Sequence, residues 1–547
     1  MHVISRRCCN SVKVVTANQA KCERVPFLAI PPFPRSRLQQ FTRASESASI
    51  LGDDEIDALI GQVTAALVGG TYWGAQPELG DAPYALQSGM FLNSETSLRR
   101  VRWSQACDPW HLLAGASELH CERDEQSHLL AGLAGVPVRL AGEDGPAKPV
   151  AKAELRCLLR SALIDRQMLD PFTGTPLSWA GVIMLCSEWR QLVDSNRGLA
   201  AVYGFAGWKR ATTEPLLWDG SNEHRFNRRP ETLCPADKAA VWRSRTSNAQ
   251  LAALEKAGVT IIEVEDGFIR SAGLGANCVP PQSIVVDGLG IHFDARSPSG
   301  LENILQEDRF APELLARAEA LCSKIVSLGL SKYDAGQDLL DRRSERLQVL
   351  VPGQVEDDRA VLSSVGPPLT NLELLRRVRA ARQNAYIIYK PHPDVEAGHR
   401  KGGIEEATAL ELADEVVRKP SISSWIDVVD EVHVNSSLAG FEALMRSRNV
   451  TTYGVPFYAG WGLTEDLGPV PERRTARRSL TELVAATLIV YPRYVDPVTN
   501  LPCSPEVLIA RLSDPEERTA PGSALMVRAR QLQGRLRQRL NLLGTMR

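Results

Sequence analysis

Between Val349 and Asp466 four apolar, β-rich runs each end in polar residues, and helix-like stretches separate them. Val349-Leu350-Val351-Pro352 leads into Gly353-Gln354-Val355 and the carboxylates Glu356, Asp357 and Asp358. Ala385-Tyr386-Ile387-Ile388-Tyr389 delivers Lys390, His392 and Asp394. Val432-His433-Val434 feeds the stretch Leu438–Leu444 through Asn435-Ser436-Ser437, and Asn449–Tyr453 is the fourth run. Strands alternating with helices predict a parallel sheet covered on both faces. Ligands of such sheets bind beyond the carboxyl ends of the strands, which is where these polar groups fall. One site can collect them all.

Four motifs occur here in a fixed order: Gln354-x-x-x-Asp358 after a strand, Lys390-Pro391-His392-Pro393-Asp394, Ser437-Leu438-Ala439-Gly440-Phe441-Glu442-Ala443-Leu444, and Pro456-Phe457-Tyr458-Ala459-Gly460-Trp461-Gly462-Leu463-Thr464. In this order they resemble the retaining β-Kdo transferases of bacterial capsule assembly (KpsC-type). The resemblance runs from about Val202 to Asp496 and is most like the second of that family's two tandem modules. Glu265–Ser271, Val285–Asp294 and Ser331-Lys332-Tyr333 match its first lobe. It implies an α/β, GT-B-like fold: two doubly wound Rossmann-type lobes facing a cleft. The implied reaction moves β-Kdo from CMP-Kdo to a Kdo-bearing phospholipid during capsule linker synthesis. Two other readings are weighed beside it: a CDP-glycerol-type phosphotransferase, which also uses a His-Pro turn, and a non-catalytic scaffold of a capsule assembly complex.

On that resemblance Asp358 is the catalytic nucleophile, with Gln354 on the donor side. A carboxylate suits a retaining reaction, in which one inversion forms a glycosyl ester and a second transfers the sugar. The resemblance also takes Glu442 to the ribose hydroxyls of CMP. His392, stiffened between Pro391 and Pro393, can donate to the leaving phosphate, and Lys390 can add charge there or end its strand in solvent. Asn435, Ser436 and Ser437 stand where a helix begins, as phosphate ligands or as ordinary caps. Glu265 and Asp266 are candidates for general-base help to the acceptor hydroxyl. Arg243, Arg245 and Arg270 are candidates for gripping acceptor carboxylates, and His292 and Tyr333 are weaker signals. Glu356-Asp357-Asp358 could hold Mg²⁺, but a single phosphate already countered by a helix terminus and a histidine makes no metal or other cofactor the expectation.

The 547 residues allow several domains, and a formal charge of −2 supplies no field for nucleic acid. Eleven cysteines lack paired spacing, which favours a reducing compartment. No apolar run reaches the length of a membrane span, so the expected location is cytoplasmic, with peripheral binding to the inner membrane and to capsule assembly proteins as options. Residues 1–50 are expected to be a disordered lead, and 146–198 a helical connector containing the amphipathic helix from Trp179 to Asn196. The first lobe, on the acceptor side, spans 199–346, and the second, on the CMP-sugar side, spans 347–510. A basic helix covers 511–547, its leucines interspersed with Arg528, Arg530, Arg535, Arg537 and Arg539.

Residues 51–145 contain an echo of the second lobe. Glu118-Leu119-His120-Cys121, a helical stretch and Val136-Pro137-Val138 repeat the order of Glu431-Val432-His433-Val434, its helix and its following strand. Glu122-Arg123-Asp124 replaces Asn435-Ser436-Ser437, and an acidic turn repels phosphate. The segment therefore reads as a smaller, degenerate α/β remnant of a first transferase module kept for packing, with a chance strand–helix–strand likeness as the alternative.

Overall fold

A computed structural model describes residues 25–37, 41–44, 51–89, 97–123, 125–163, 166–221, 226, 228–269, 279–330, 340–363, 368–398 and 400–514. Arg270, the Ser331–Tyr333 motif and the expected C-terminal helix lie outside them. The chain divides into two compact units: Met1–Ala29 with Ala44–Arg166, and Ile30–Arg43 with Gln167–Arg547.

The first unit holds four parallel strands: β1 (Tyr84–Gln87), β2 (Arg99–Arg102), β3 (Ala116–Cys121) and β4 (Val138–Leu140). They lie in the order β2-β1-β3-β4. The helix Asp53–Ala66 opens with Asp53, Asp54 and Glu55 in its first turn, where the helix dipole favours negative charge. Arg156 bridges Asp53 at 2.7 Å and Asp57 at 2.6 Å. The helix Lys152–Leu163, assigned to a connector by sequence, therefore belongs to this unit.

In the second unit β5 (Leu199–Tyr203), β6 (Lys238–Val241) and β7 (Thr260–Asp266) run parallel, and β8 (Ser283–Asp287) is antiparallel to β7. The following sheet is parallel throughout: β9 (Gln348–Pro352), β10 (Tyr386–Lys390), β11 (Glu415–Val416), β12 (Glu431–Val434), β13 (Asn449–Thr452) and β14 (Glu465–Asp466). Their order is β11-β10-β9-β12-β13-β14. The chain then returns: β15 (Pro492–Val495) pairs antiparallel with β8, and β16 (Pro502–Cys503) with β15. Residues 492–503, placed in the second lobe by sequence, thus complete the first sheet. That sheet is mixed, not doubly wound throughout.

Strand periodicity decides what each face packs against. Val349 and Val351 pack with Ile387, Tyr389 and the helix residues Leu374, Leu375 and Val378 on one side. Leu350 and Ile388 point the other way, into a core with Val432, Val434, Trp425, Phe441 and Leu444. Both faces of the sheet are covered, which is why its strands read as continuous apolar runs.

Described parts of the expected lead are packed. Phe27 and Leu28 are buried in the first unit, and Ile30, Phe33 and Phe41 in the second. The Phe33 ring lies 5.8 Å from Trp189 and 5.1 Å from Trp218. Its prolines forbid a helix but not burial, so a search for periodicity passes over it.

The echo between the units extends to topology. In the first unit the strands lie β2-β1-β3-β4, and in the second β10-β9-β12-β13 lie side by side in a matching arrangement once the additional edge strand β11, which comes between β10 and β12 in the chain, is set aside. β3 and β12 each carry Glu-x-His. His120 Nε2 meets Glu118 at 2.9 Å and His433 Nε2 meets Glu431 at 2.9 Å, both imidazoles fully buried.

Candidate active site

The strand order of the parallel sheet reverses between β9 and β12, opening a crevice at their carboxyl ends. A cavity of about 720 Å³ occupies it. Residues after β9, β10 and β12 form one wall, and Asp266, Gly267, Phe268, His292 and Phe293 form the other.

Gln354, just past β9, ties the crevice together. Its Nε2 donates to Ser436 Oγ at 3.2 Å, and its Oε1 accepts from the Ser436 N–H at 2.9 Å. Gly353 precedes it because the chain passes close to its neighbours: a Cβ there would sit 2.8 Å from the Tyr389 hydroxyl. Gln354 is therefore a positioning group that also lines the cavity.

The three adjacent carboxylates separate. Glu356 accepts from the Asn371 N–H at 2.7 Å at the start of the helix Asn371–Ala381, and Asp357 pairs with Arg400 at 3.0 Å. Asp358 alone of the three lines the cavity. It begins the short helix Arg359–Leu362, and its side chain makes no capping bond. Among the described residues no group of three or more histidines, cysteines or carboxylates is arranged to hold a metal ion.

Arg359, which the sequence reading missed, joins the two sheets. It donates to Glu265 at 2.9 Å and to Glu263 at 3.0 Å, with its guanidinium 5.2 Å from the Phe293 ring centre. Burial pushes the Glu265 carboxyl up to about 7; Arg359 opposes that, while the Asp266 and Asp358 charges add to it. Asp266 lines the cavity and accepts from Lys209 at 3.1 Å, whose ammonium lies 3.2 Å from the Trp242 ring centre.

His392 caps the helix Pro393–Glu396, its Nδ1 accepting the Asp394 N–H at 3.1 Å. That bond assigns the proton of the neutral ring to Nε2, making the ring a donor on its other side. Pro393 follows it on the cavity wall. Lys390 is buried, its ammonium donating to the carbonyls of Arg418 at 2.8 Å and Pro420 at 2.7 Å. Burial pulls it down to about 8. It neither ends in solvent nor extends as a mobile cation: it fixes the loop from Arg418 to Ser421, which is itself part of the wall. Arg418 also escaped the sequence reading, and it pairs with Glu396 and Glu406.

Ser437 is an N-cap, its Oγ accepting the Ala439 N–H at 3.2 Å, and it lines the cavity as well. Glu442, one turn on, is 5% exposed and reaches the same cavity. Asn435 does not line it: Asn435 lies against Gly454, and its buried Nδ2 has no hydrogen-bond partner among the described residues. Of the expected acceptor arginines, Arg243 is held by Glu263 at 2.7 Å, and neither it nor the exposed Arg245 borders the cavity. Arg270 is outside the described residues. A strand-end arginine has no sequence signal that separates a ligand grip from an internal ion pair.

The crevice at this topological switch point thus gathers a carboxylate without a capping bond, a histidine and a capped helix start on one cavity. Residues 238–494 match the capsule polysaccharide biosynthesis protein family. It is 40% identical over 338 residues to the capsule polysaccharide modification protein LipA of Neisseria meningitidis, covering 61% of this chain and 48% of LipA. Over 263 residues it is 43% identical to the lipopolysaccharide-processing protein LpsZ of Rhizobium meliloti, covering 47% and 59%. The chain spans about half the length of the curated relatives it matches. A solved structure of the β-Kdo 2,7 transferase of Thermosulfurimonas dismutans KpsC is 35% identical, covering 57% of this chain and 98% of its own, with a TM-score of 0.47.

Proposed function

We propose that the second unit is a retaining glycosyltransferase of GT-B type, moving β-Kdo from CMP-Kdo to a Kdo-bearing phospholipid in capsule linker synthesis. The observation that carries the reading is the convergence of Asp358, His392, Ser436, Ser437 and Glu442 on one cavity, in an order of motifs typical of that family. In the proposed reaction CMP lies over the start of the helix Leu438–Met445, its phosphate at Ser436 and Ser437 and its ribose at Glu442. The His392 Nε2–H donates to the departing phosphate. Asp358 attacks the anomeric carbon, and the acceptor hydroxyl later displaces it, losing its proton to Glu265 or Asp266. Glu356 and Asp357 are committed to the fold, so we take the transfer to proceed without a divalent cation. No described helix is long and apolar enough to cross a membrane; a lipid-linked acceptor would be met at the membrane surface.

Incubating purified protein with CMP-Kdo and a short Kdo-lipid acceptor, with chelator present, should yield a β-linked Kdo by NMR. An α-linked product would remove the retaining mechanism. No transfer from CMP-Kdo, with transfer from CDP-glycerol instead, would favour the phosphotransferase reading.

Proton transfer to Glu265 has a pH signature. A carboxyl raised to about 7 is protonated below that value and available as a base above it. Turnover should therefore climb through pH 6–8, and Glu265→Gln should flatten that limb as well as lower its plateau. Stability should run the other way. The folded protein holds this proton more tightly than the unfolded chain, so this group's contribution is present below about pH 4.5 and is lost as pH rises through about 7. A pH–rate limb unchanged in Glu265→Gln would transfer the role to Asp266.

A further inference from the structure

The first unit has a cavity of its own, about 500 Å³, in the place that the transferase site occupies in the second. Ser88 and Gly89 follow β1 as Gly353 and Gln354 follow β9. Trp103 follows β2 as Pro391 and His392 follow β10. Glu125 stands at the start of the helix Gln126–Ala134, without a side-chain capping bond, where Ser437 caps Leu438–Met445. The crevice is closed by the same kind of bond: Ser88 Oγ donates to Glu125 at 3.0 Å, as Gln354 meets Ser436. Ser127 Oγ donates to the same carboxylate oxygen at 3.1 Å.

What has changed is the chemistry of the lining. Among the described residues, no lysine, arginine or histidine lines this wall. An indole replaces the histidine, and a carboxylate stands at the helix start. A phosphate there would meet a like charge with no cation to offset it. The remaining groups are Trp103, Glu125, Gln105, Gln126 and three serines, beside apolar Phe27, Leu129 and Leu158. An aromatic face suits the C–H face of a pyranose, while carboxylate, amide and hydroxyl groups accept from and donate to ring hydroxyls.

We propose that the first unit binds saccharide through this cavity, selecting uncharged or amino sugars and rejecting phosphate-bearing and acidic ones. The degenerate module has then exchanged a donor site for a glycan site. This does not depend on the transferase reading of the second unit.

Saturation-transfer NMR on the full chain tests it, with lactose, di-N-acetylchitobiose and its free-amine form as probes and Kdo, CMP and cytidine as challengers. At least one probe should bind in the millimolar range, unaffected by the challengers. Trp103→Ala should weaken that binding about tenfold or more, and Trp103→Phe, which keeps a ring, should restore most of it. Glu125→Gln should reduce any preference for the amine over the acetylated sugar. Circular dichroism and thermal unfolding should match wild type in all three variants, which verifies their fold. The proposal is overturned if no probe binds, if a challenger displaces the bound sugar, or if Trp103→Ala and wild type bind alike.

Discussion

Asp358→Ala is expected to lower transfer by about 10⁴-fold or more while leaving CMP affinity nearly unchanged. The size follows from the position. Asp358 is the one member of its carboxylate triplet that faces the cavity, since Glu356 caps a helix and Asp357 pairs with Arg400. Neither neighbour can take over without breaking those bonds. Asp358→Asn should be almost as inactive, because an amide of the same shape is a poor nucleophile. Wild type given donor without acceptor should accumulate a Kdo ester, visible as added mass and mapping to the peptide containing Val355–Arg359. An adduct on Glu356 or Asp357 would retain double displacement and relocate the nucleophile; an active Asp358→Ala enzyme would sink the mechanism.

His392→Ala should lower kcat by about 10²–10³-fold with a much smaller change in CMP affinity. Its Nδ1 is occupied by the Asp394 N–H, so the donating edge is set before substrate arrives. That donation strengthens as charge develops on the phosphate and contributes little in the ground state. Ser437→Ala and Glu442→Ala should show the opposite split, weakening CMP binding more than turnover. Calorimetric titration with CMP beside steady-state kinetics separates the two patterns. A His392→Ala protein with wild-type kcat would make that residue a cap for its short helix and nothing more.

The parallel sheet was legible because its strands are buried on both faces and leave apolar runs at Val349–Pro352 and Tyr386–Tyr389, with Val432 and Val434 flanking a buried histidine. Strand-end position pointed to the polar turns after these runs, and the family resemblance then singled out Gln354 and Asp358 within the first of them. The mixed first sheet was not legible. Ser283–Asp287 takes as neighbour a strand more than two hundred residues later, and nothing local announces such a pairing. Lys390 lines the cavity and also holds two carbonyls, and only the folded loop at Arg418–Ser421 shows that second task. Arg359 looked like any arginine in a turn. Its partners Glu263 and Glu265 lie nearly a hundred residues earlier, so its role exists only in three dimensions.

The Glu-x-His pair that recurs in both units has a practical consequence. In each unit it lies sealed inside a sheet, histidine bonded to glutamate two residues before it, and in the second unit it stays outside the cavity. On the proposed reading of the first unit as a degenerate module, the pair persists where the nucleophile, the donor histidine and the serine turn do not, and so marks ancestry and not turnover. Genome surveys keyed to it would gather silent modules with working ones, and only the turns after the first and second strands would tell them apart.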